Sequence, residues 1–287
     1  NKMLTKSARP SAGMEALQQL GVLKNIYPEI SALQGVEQEF EWHPEGDAWV
    51  HTLLTLDSAA NLCRSGLVPE ESRGVLMWTM LCHDLGKPMM TVIQDNRVKS
   101  HGHEQAGEVP AKAILDRLGM DNISKEKIIA LLKEHMWPNV AYQQEQKSRE
   151  TGEDVVKDGA FKKLATRLHP ANIFELTLVA EADIMGRGPF LDPNDDTQFM
   201  LPKPFEAGEW VRRKAEEIGV YKEKPEPVLL GRDLVALGLK PGKEFNTLIS
   251  LATKLNEEKG VGRDEMLSIL KKSDGHNTKA VQLLESL

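Results

Sequence analysis

Apolar residues recur at helical spacing through most of the chain, and short polar or proline-bearing breaks separate the runs. Val50, Leu53, Leu54, Ala60 and Leu62 place a helix over 47–64, with Asp47 as its N-cap. A second over 70–85 is stopped by Gly86 and Pro88. Residues 11–20, 104–118, 124–137, 159–168 and 171–186 read the same way; Gly21 ends the first and Pro170 divides the last two. Then come 205–218, 231–237, 242–258, 263–272 and 276–286. One stretch departs from this period. Thr91-Val92-Ile93 and Arg97-Val98-Lys99 flank Gln94-Asp95-Asn96, which predicts a small β-hairpin over 91–99. Residues 188–204 hold four prolines and three aspartates and read as a loop, and a second break falls at 222–227. The expected fold is all-α: a helical bundle with one hairpin and a C-terminal helical tail.

Composition narrows the function classes. A hydrophobic content of 40% supports a proper core. No run of 18 apolar residues occurs, so no membrane partner is expected, and no secretory leader is seen at the start. Cys63 and Cys82 sit on apolar helical faces and form no CxxC pair, so no disulfide-linked partner is expected and a reducing cytoplasm fits best. A net charge of −7 argues against broad duplex binding. It leaves room for a local basic groove, for which Arg212-Arg213-Lys214 and Lys240 with Lys243 are candidates.

The chemistry-bearing residues cluster on apolar faces, where a charged group needs a partner. His83 and Asp84 are adjacent at the end of an apolar helix and point about 100° apart, so both reach one ion only off the helix end, beside Gly86. His51 and Asp183, from two other helices, would complete a mixed imidazole and carboxylate set. His103 and His135 would hold a second ion. Such ligands suit one or two divalent ions (Mg, Mn, Ni, Co, Fe or Zn), and the lack of thiolates argues against a closed structural zinc site. Lys87 reads either as a helix C-terminal lysine or as a phosphate-neutralising cation. Arg187 reads either as a cap neighbour or as a phosphate clamp. The hairpin would return the chain so that His101 and His103 meet His83-Asp84, with His101 a substrate contact. His43, His169 and His276 read as structural or solvent-exposed. Trp42, Trp49, Trp78 and Trp137 read as core or pocket walls, with base stacking open to one of them.

Several segments are similar to the HD domain of bacterial CCA-adding tRNA nucleotidyltransferases, within the HD phosphohydrolase superfamily. They are Glu41-Trp42-His43-Pro44-Glu45-Gly46-Asp47 with Val50-His51-Thr52-Leu53, Leu81-Cys82-His83-Asp84-Leu85-Gly86-Lys87, His101-Gly102-His103-Glu104-Gln105-Ala106-Gly107, and Glu181-Ala182-Asp183-Ile184-Met185-Gly186-Arg187-Gly188. Residues 7–31 resemble that family's neck, and Leu230-Gly231-Arg232-Asp233-Leu234 with Gly238-Leu239-Lys240-Pro241-Gly242 its helical body. The resemblance implies a neck-like segment over 1–40, a metal-dependent phosphohydrolase domain over 41–190 and a helical tail over 205–287. The family's nucleotidyltransferase head, with its Gly-Ser turn and paired carboxylates, has no counterpart in these residues. The implied activity is therefore hydrolysis of nucleotides, 2′,3′-cyclic nucleotides or RNA 3′ ends, with metals on His51, His83, Asp84, Asp183, His103 and His135, and with Asp84, Lys87 and Arg187 catalytic. The rival expectation is a tRNA-binding neck-and-body module without turnover.

Overall fold

The computed structural model describes residues 2–152, 156–188, 190–192, 195–200 and 205–287. It divides the chain into two compact units, Asn1–Val156 with Arg167–Lys222, and Lys157–Thr166 with Glu223–Leu287. Four short helices lead in: α1 (Lys2–Lys6), α2 (Pro10–Gln19), α3 (Leu23–Ile26) and α4 (Pro28–Ser31). The next helix, α5 (Ala48–Arg64), is capped as its sequence predicts, Asp47 Oδ1 accepting from the Val50 amide at 2.9 Å. Thr52, Leu56 and Ala59 on it are wholly buried, because helices pack around it: α2, α6 (Glu70–Cys82) and α13 (Ile173–Met185).

Three helices close this first unit: α10 (Asn122–Glu134) on α6, and α11 (Trp137–Thr151) and α14 (Glu206–Ile218) on α13. Buried Glu175 of α13 accepts from Ser72 of α6 at 3.0 Å and from Lys127 of α10 at 2.9 Å, a polar tie across three helices. At the end of α13, Gly186 lets the chain press on α5; a Cβ there would lie 2.6 Å from the Thr55 nitrogen.

The hairpin forms where expected. Strands β1 (Val92–Gln94) and β2 (Arg97–Lys99) pair antiparallel, Ile93 opposite Val98. Asp95 and Asn96 take φ of 54° and 58°, the left-handed pair that a two-residue hairpin turn demands.

Several boundaries differ from the sequence reading. The helix over 70–85 ends at Cys82, and Lys87–Met90 starts a new short helix, α7, in which Pro88 occupies the first turn, where its missing N–H costs nothing. The helix over 104–118 is two, α8 (His103–Ala106) and α9 (Glu108–Arg117), parted at Gly107. Helix α11 has no counterpart in the sequence reading. Its buried stripe is Pro138, Ala141, Glu145 and Ser148, which holds no large apolar side chain to set a period. Part of the stretch read as a loop pairs instead as a second antiparallel ladder, β3 (Phe190–Asp192) with β4 (Asp195–Met200), so the described residues hold two small two-stranded sheets; residues 189, 193–194 and 201–204 lie outside the described residues.

The second unit includes most of α12 (Asp158–Leu168) and the helices α15 (Gly231–Ala236), α16 (Lys243–Lys259), α17 (Arg263–Leu270) and α18 (Asn277–Glu285). Leu234, Leu248, Ala252, Met266, Leu270 and Ala280 form its apolar core. No described helix is long and apolar enough to cross a membrane.

Candidate metal centre

Six ligand-type side chains converge, each brought by a different segment of the chain or a different position within it. His51 comes from the buried face of α5, and His83 caps the C-terminus of α6. Asp84 lies in the turn that follows. His103 opens α8, His135 caps α10, and Asp183 lies in the last turn of α13. All six are buried. Gly86 makes the approach of α8 fit: a Cβ there would stand 1.9 Å from the His103 carbonyl oxygen.

The ligand atoms form two trios, His51, His83 and Asp183 in one and Asp84, His103 and His135 in the other, each within 4.8 Å of one another. His51 Nε2 is 2.9 Å from Asp183 Oδ1. The sequence reading grouped Asp84 with the first set. In the structure it lies between the two: Oδ1 is 3.3 Å from His103 Nε2, while Oδ2 is 3.3 Å from His83 Nε2 and 3.8 Å from His51 Nε2. Ring centroids step from His51 to His83 to His135 to His103 at 5.3 Å each.

Every one of these histidines has its Nδ1 held by an acceptor. Met80, Ser100 and Leu132 carbonyls take Nδ1 of His83, His103 and His135 at 2.7 Å each, and Glu45 Oε1 takes that of His51 at 2.7 Å. Nδ1 therefore carries a proton in each ring, and Nε2 is the nitrogen turned toward the carboxylates of the site. His83 Nε2, His103 Nε2 and Asp84 Oδ1 are buried with no hydrogen-bond partner, and Asp84 Oδ2 makes no directed hydrogen bond although the Lys87 ammonium lies 2.7 Å away. Buried polar atoms left so call for a bound group, and imidazole nitrogens facing carboxylate oxygens are the donor set of a divalent cation.

Charge follows the same plan. Burial opposes ionisation of Asp84, but His83 and Lys87 overcome it and hold the carboxyl well below its usual range. Asp183 is likewise held down against burial by Arg187 and His51. Burial drives His83 and His135 down to about 4, so both are neutral and ready to ligate at neutral pH. His51 and His103 are pulled down by burial and lifted more by their carboxylates, so they sit above the ordinary value.

Lys87 is buried, with Nζ 2.7 Å from Asp84 Oδ2 and a hydrogen bond to Gln38. Arg187 Nη2 is 3.0 Å from Asp183 Oδ2. Both line a cavity of about 1070 Å³ above the trios, along with Trp42, His101 and Phe205. His101 is exposed on its wall, so His103 alone of the pair enters the buried cluster. Trp42 is half exposed, whereas Trp49 and Trp78 are buried in the core. The hairpin is tied beside the cavity by Arg97, which bonds Glu41 at 2.6 Å and reaches Glu39 at 3.3 Å.

Sequence reasoning passed over Glu45 and set His43 aside. Glu45 Oε1 also meets His43 Nδ1 at 2.9 Å, and its Oε2 accepts from the Gly188 amide at 3.1 Å. The two imidazoles outweigh burial and hold this carboxyl down at about 2. A carboxylate two residues after one histidine and six before another was the available signal.

Residues 49–171 match the family model for the HD domain. The chain is 32% identical over 185 residues to the multifunctional CCA protein of Mannheimia succiniciproducens, covering 64% of this chain and 41% of that one. It is 35% identical over 181 residues to the multifunctional CCA protein of Xanthomonas campestris pv. campestris, covering 63% and 40%. That of Actinobacillus pleuropneumoniae is 32% identical over 178 residues, covering 62% and 40%. The aligned region thus spans about two fifths of these relatives.

Proposed function

We propose that the HD domain of this chain, completed by Asp183 and Arg187, hydrolyses phosphoesters with the help of divalent metal. The match of residues 49–171 to the HD domain model favours metal-dependent phosphohydrolases as the reference class. The observation that carries the reading is the pair of buried trios, joined where Asp84 of the second reaches His83 of the first, beside a cavity that Lys87 and Arg187 also line. His51, His83 and Asp183 would hold one ion, and His103 and His135 a second, with Asp84 between. Bound divalent ions supply Lewis acidity and lower the pKa of a coordinated water from about 15.7 to about 7.

The chain's own groups do the rest. Asp84 and Asp183 stay ionised and set the negative charge that a cation needs. The carbonyls of Met80, Ser100 and Leu132 and the Glu45 carboxylate hold each imidazole in a ligating tautomer. Lys87 and Arg187 face non-bridging phosphate oxygens, Arg187 with a planar fork suited to two of them. His101, on the cavity wall, contacts the substrate. The buried floor limits competing water, and the wider cavity accommodates more than a bare phosphate. Similarity to multifunctional CCA proteins favours nucleotides, 2′,3′-cyclic nucleotides or RNA 3′ ends as substrates. Two buried free thiols, Cys63 and Cys82, fit a reducing cytoplasm.

Elemental analysis of the purified protein, with turnover measured on phosphomonoesters, cyclic nucleotides and 3′-phosphorylated RNA, tests the reading. Bound divalent metal with turnover of one class supports it; neither metal nor turnover after metal supplementation overturns it. The same similarity favours one second reading, a module that holds a tRNA end without turnover. Tight tRNA binding by chelator-stripped protein, with no hydrolysis on metal return, selects that reading.

A further inference from the structure

Helix α11 begins at Trp137, directly after His135 and Met136. Asn139 follows His135 by four residues and lines the same cavity as the trios. Its Nδ2 is shielded from solvent and has no hydrogen-bond partner among the described residues. A shielded amide nitrogen carrying two unpaired N–H groups is costly to fold and is normally satisfied. No described residue of a neighbouring element repays it.

The donor inventory of the cavity sharpens the point. Lys87 is drawn onto Asp84 and Gln38, and Arg187 Nη2 onto Asp183. Among the described lining residues, the buried N–H donors without a partner are Arg187 Nε and Asn139 Nδ2. One comes from the segment after α13 and the other from α11. A neutral amide forms no ion pair with the carboxylates that line the cavity, so it stays free to donate to a ligand.

We propose that Asn139 is a substrate-binding residue whose side-chain amide donates a hydrogen bond to an oxygen of the bound phosphoester, beside the trio of Asp84, His103 and His135. The inference rests on the hydrolase reading above. It adds a recognition group that neither ligates metal nor carries charge. Because the amide nitrogen has no partner among the described residues, its removal leaves the fold intact and weakens only the ligand.

The test compares the parent with Asn139→Leu and Asn139→Asp, which keep the side-chain volume. Measured are metal content, thermal midpoint, kcat and KM on p-nitrophenyl phosphate, and inhibition by inorganic phosphate. For Asn139→Leu, metal content and thermal midpoint match the parent, while KM and the phosphate inhibition constant rise about 3- to 10-fold, the range of one lost neutral hydrogen bond. Asn139→Asp, with an acceptor in place of the donor, is weaker still. A thermal midpoint several degrees lower in Asn139→Leu, or unchanged KM and inhibition constant, overturns the proposal. A parent that turns over nothing sinks the hydrolase reading alone. The midpoint shift caused by inorganic phosphate then decides Asn139: its loss in Asn139→Leu supports the assignment and its persistence overturns it.

Discussion

His51 Nε2 and Asp183 Oδ1 stand 2.9 Å apart, although 132 positions separate the two residues in the chain. Helices α5 and α13 make that contact by packing directly, with Gly186 and Thr55 touching one turn further on. Each partner brings its own second neighbour, Glu45 for His51 and Arg187 for Asp183. The contact therefore reads out whether the whole first trio is assembled.

Asp84→Ala is expected to abolish turnover and to lower metal content at both trios, since its two oxygens face different imidazoles. The helices survive, because the residue sits in a turn rather than in a helix–helix contact. Circular dichroism beside elemental analysis checks both halves. Full turnover in metal-saturated Asp84→Ala protein rules out the mechanism.

His135→Ala removes a ligand-type group of the second trio alone. Metal content should fall from about two ions to about one, with hydrolysis reduced about 10²- to 10⁴-fold, the range for loss of a positioned catalytic group. If metal content and rate both stay at parental values, His135 is merely a helix-end residue.

Glu45→Gln keeps the shape but removes the charge behind His51. Loss of such an orienting carboxylate typically weakens metal affinity about 10- to 100-fold. Isothermal titration of the stripped protein measures this directly. Parental affinity in Glu45→Gln would mean that the hydrogen bond to His51 sets orientation alone, without raising ligand basicity.

Acid should destabilise the chelator-stripped protein well above the usual carboxylate range. His43, His83 and His135 are pushed down to about 4 by burial, whereas the unfolded chain titrates them at an ordinary value near 6.5. Between those limits the unfolded state binds more protons, so stability falls as pH drops from about 6.5 to about 4. His51 and His103, lifted above the ordinary value, act in the opposite sense, and their contribution is lost only as pH rises through their folded values. At pH 5 unfolding should take up about two to three protons from the first group. Midpoints from denaturant melts at several pH values give that slope; a flat profile from 6.5 to 4 contradicts it.

Much of this was legible in the chain because it is written locally. Asp47 before Ala48 announces a capped helix, and Gln94-Asp95-Asn96 between short β-like runs announces the turn. The six candidate ligands could be named because histidine and aspartate on apolar faces are conspicuous. What stayed hidden depends on distance in space. That Asp84 lies between two trios follows from the turn geometry at Gly86 and the position of α8, not from spacing. Glu45 was obscured because its role is to orient another residue. Helix α11 was missed because the side chains it buries are small or polar.

His83, His103 and His135 each bond a carbonyl three residues back in the chain, at Met80, Ser100 and Leu132. For His83 and His135 that carbonyl is one of the acceptors a helix leaves open at its end. The orientation of the ring is thus preset within a single turn of chain, before any distant element arrives. The rotational freedom of three imidazoles is given up once, during folding, and not again each time a cation enters or leaves. Remote core substitutions in this protein should then alter how far apart its ligands stand, while the aim of each ring persists.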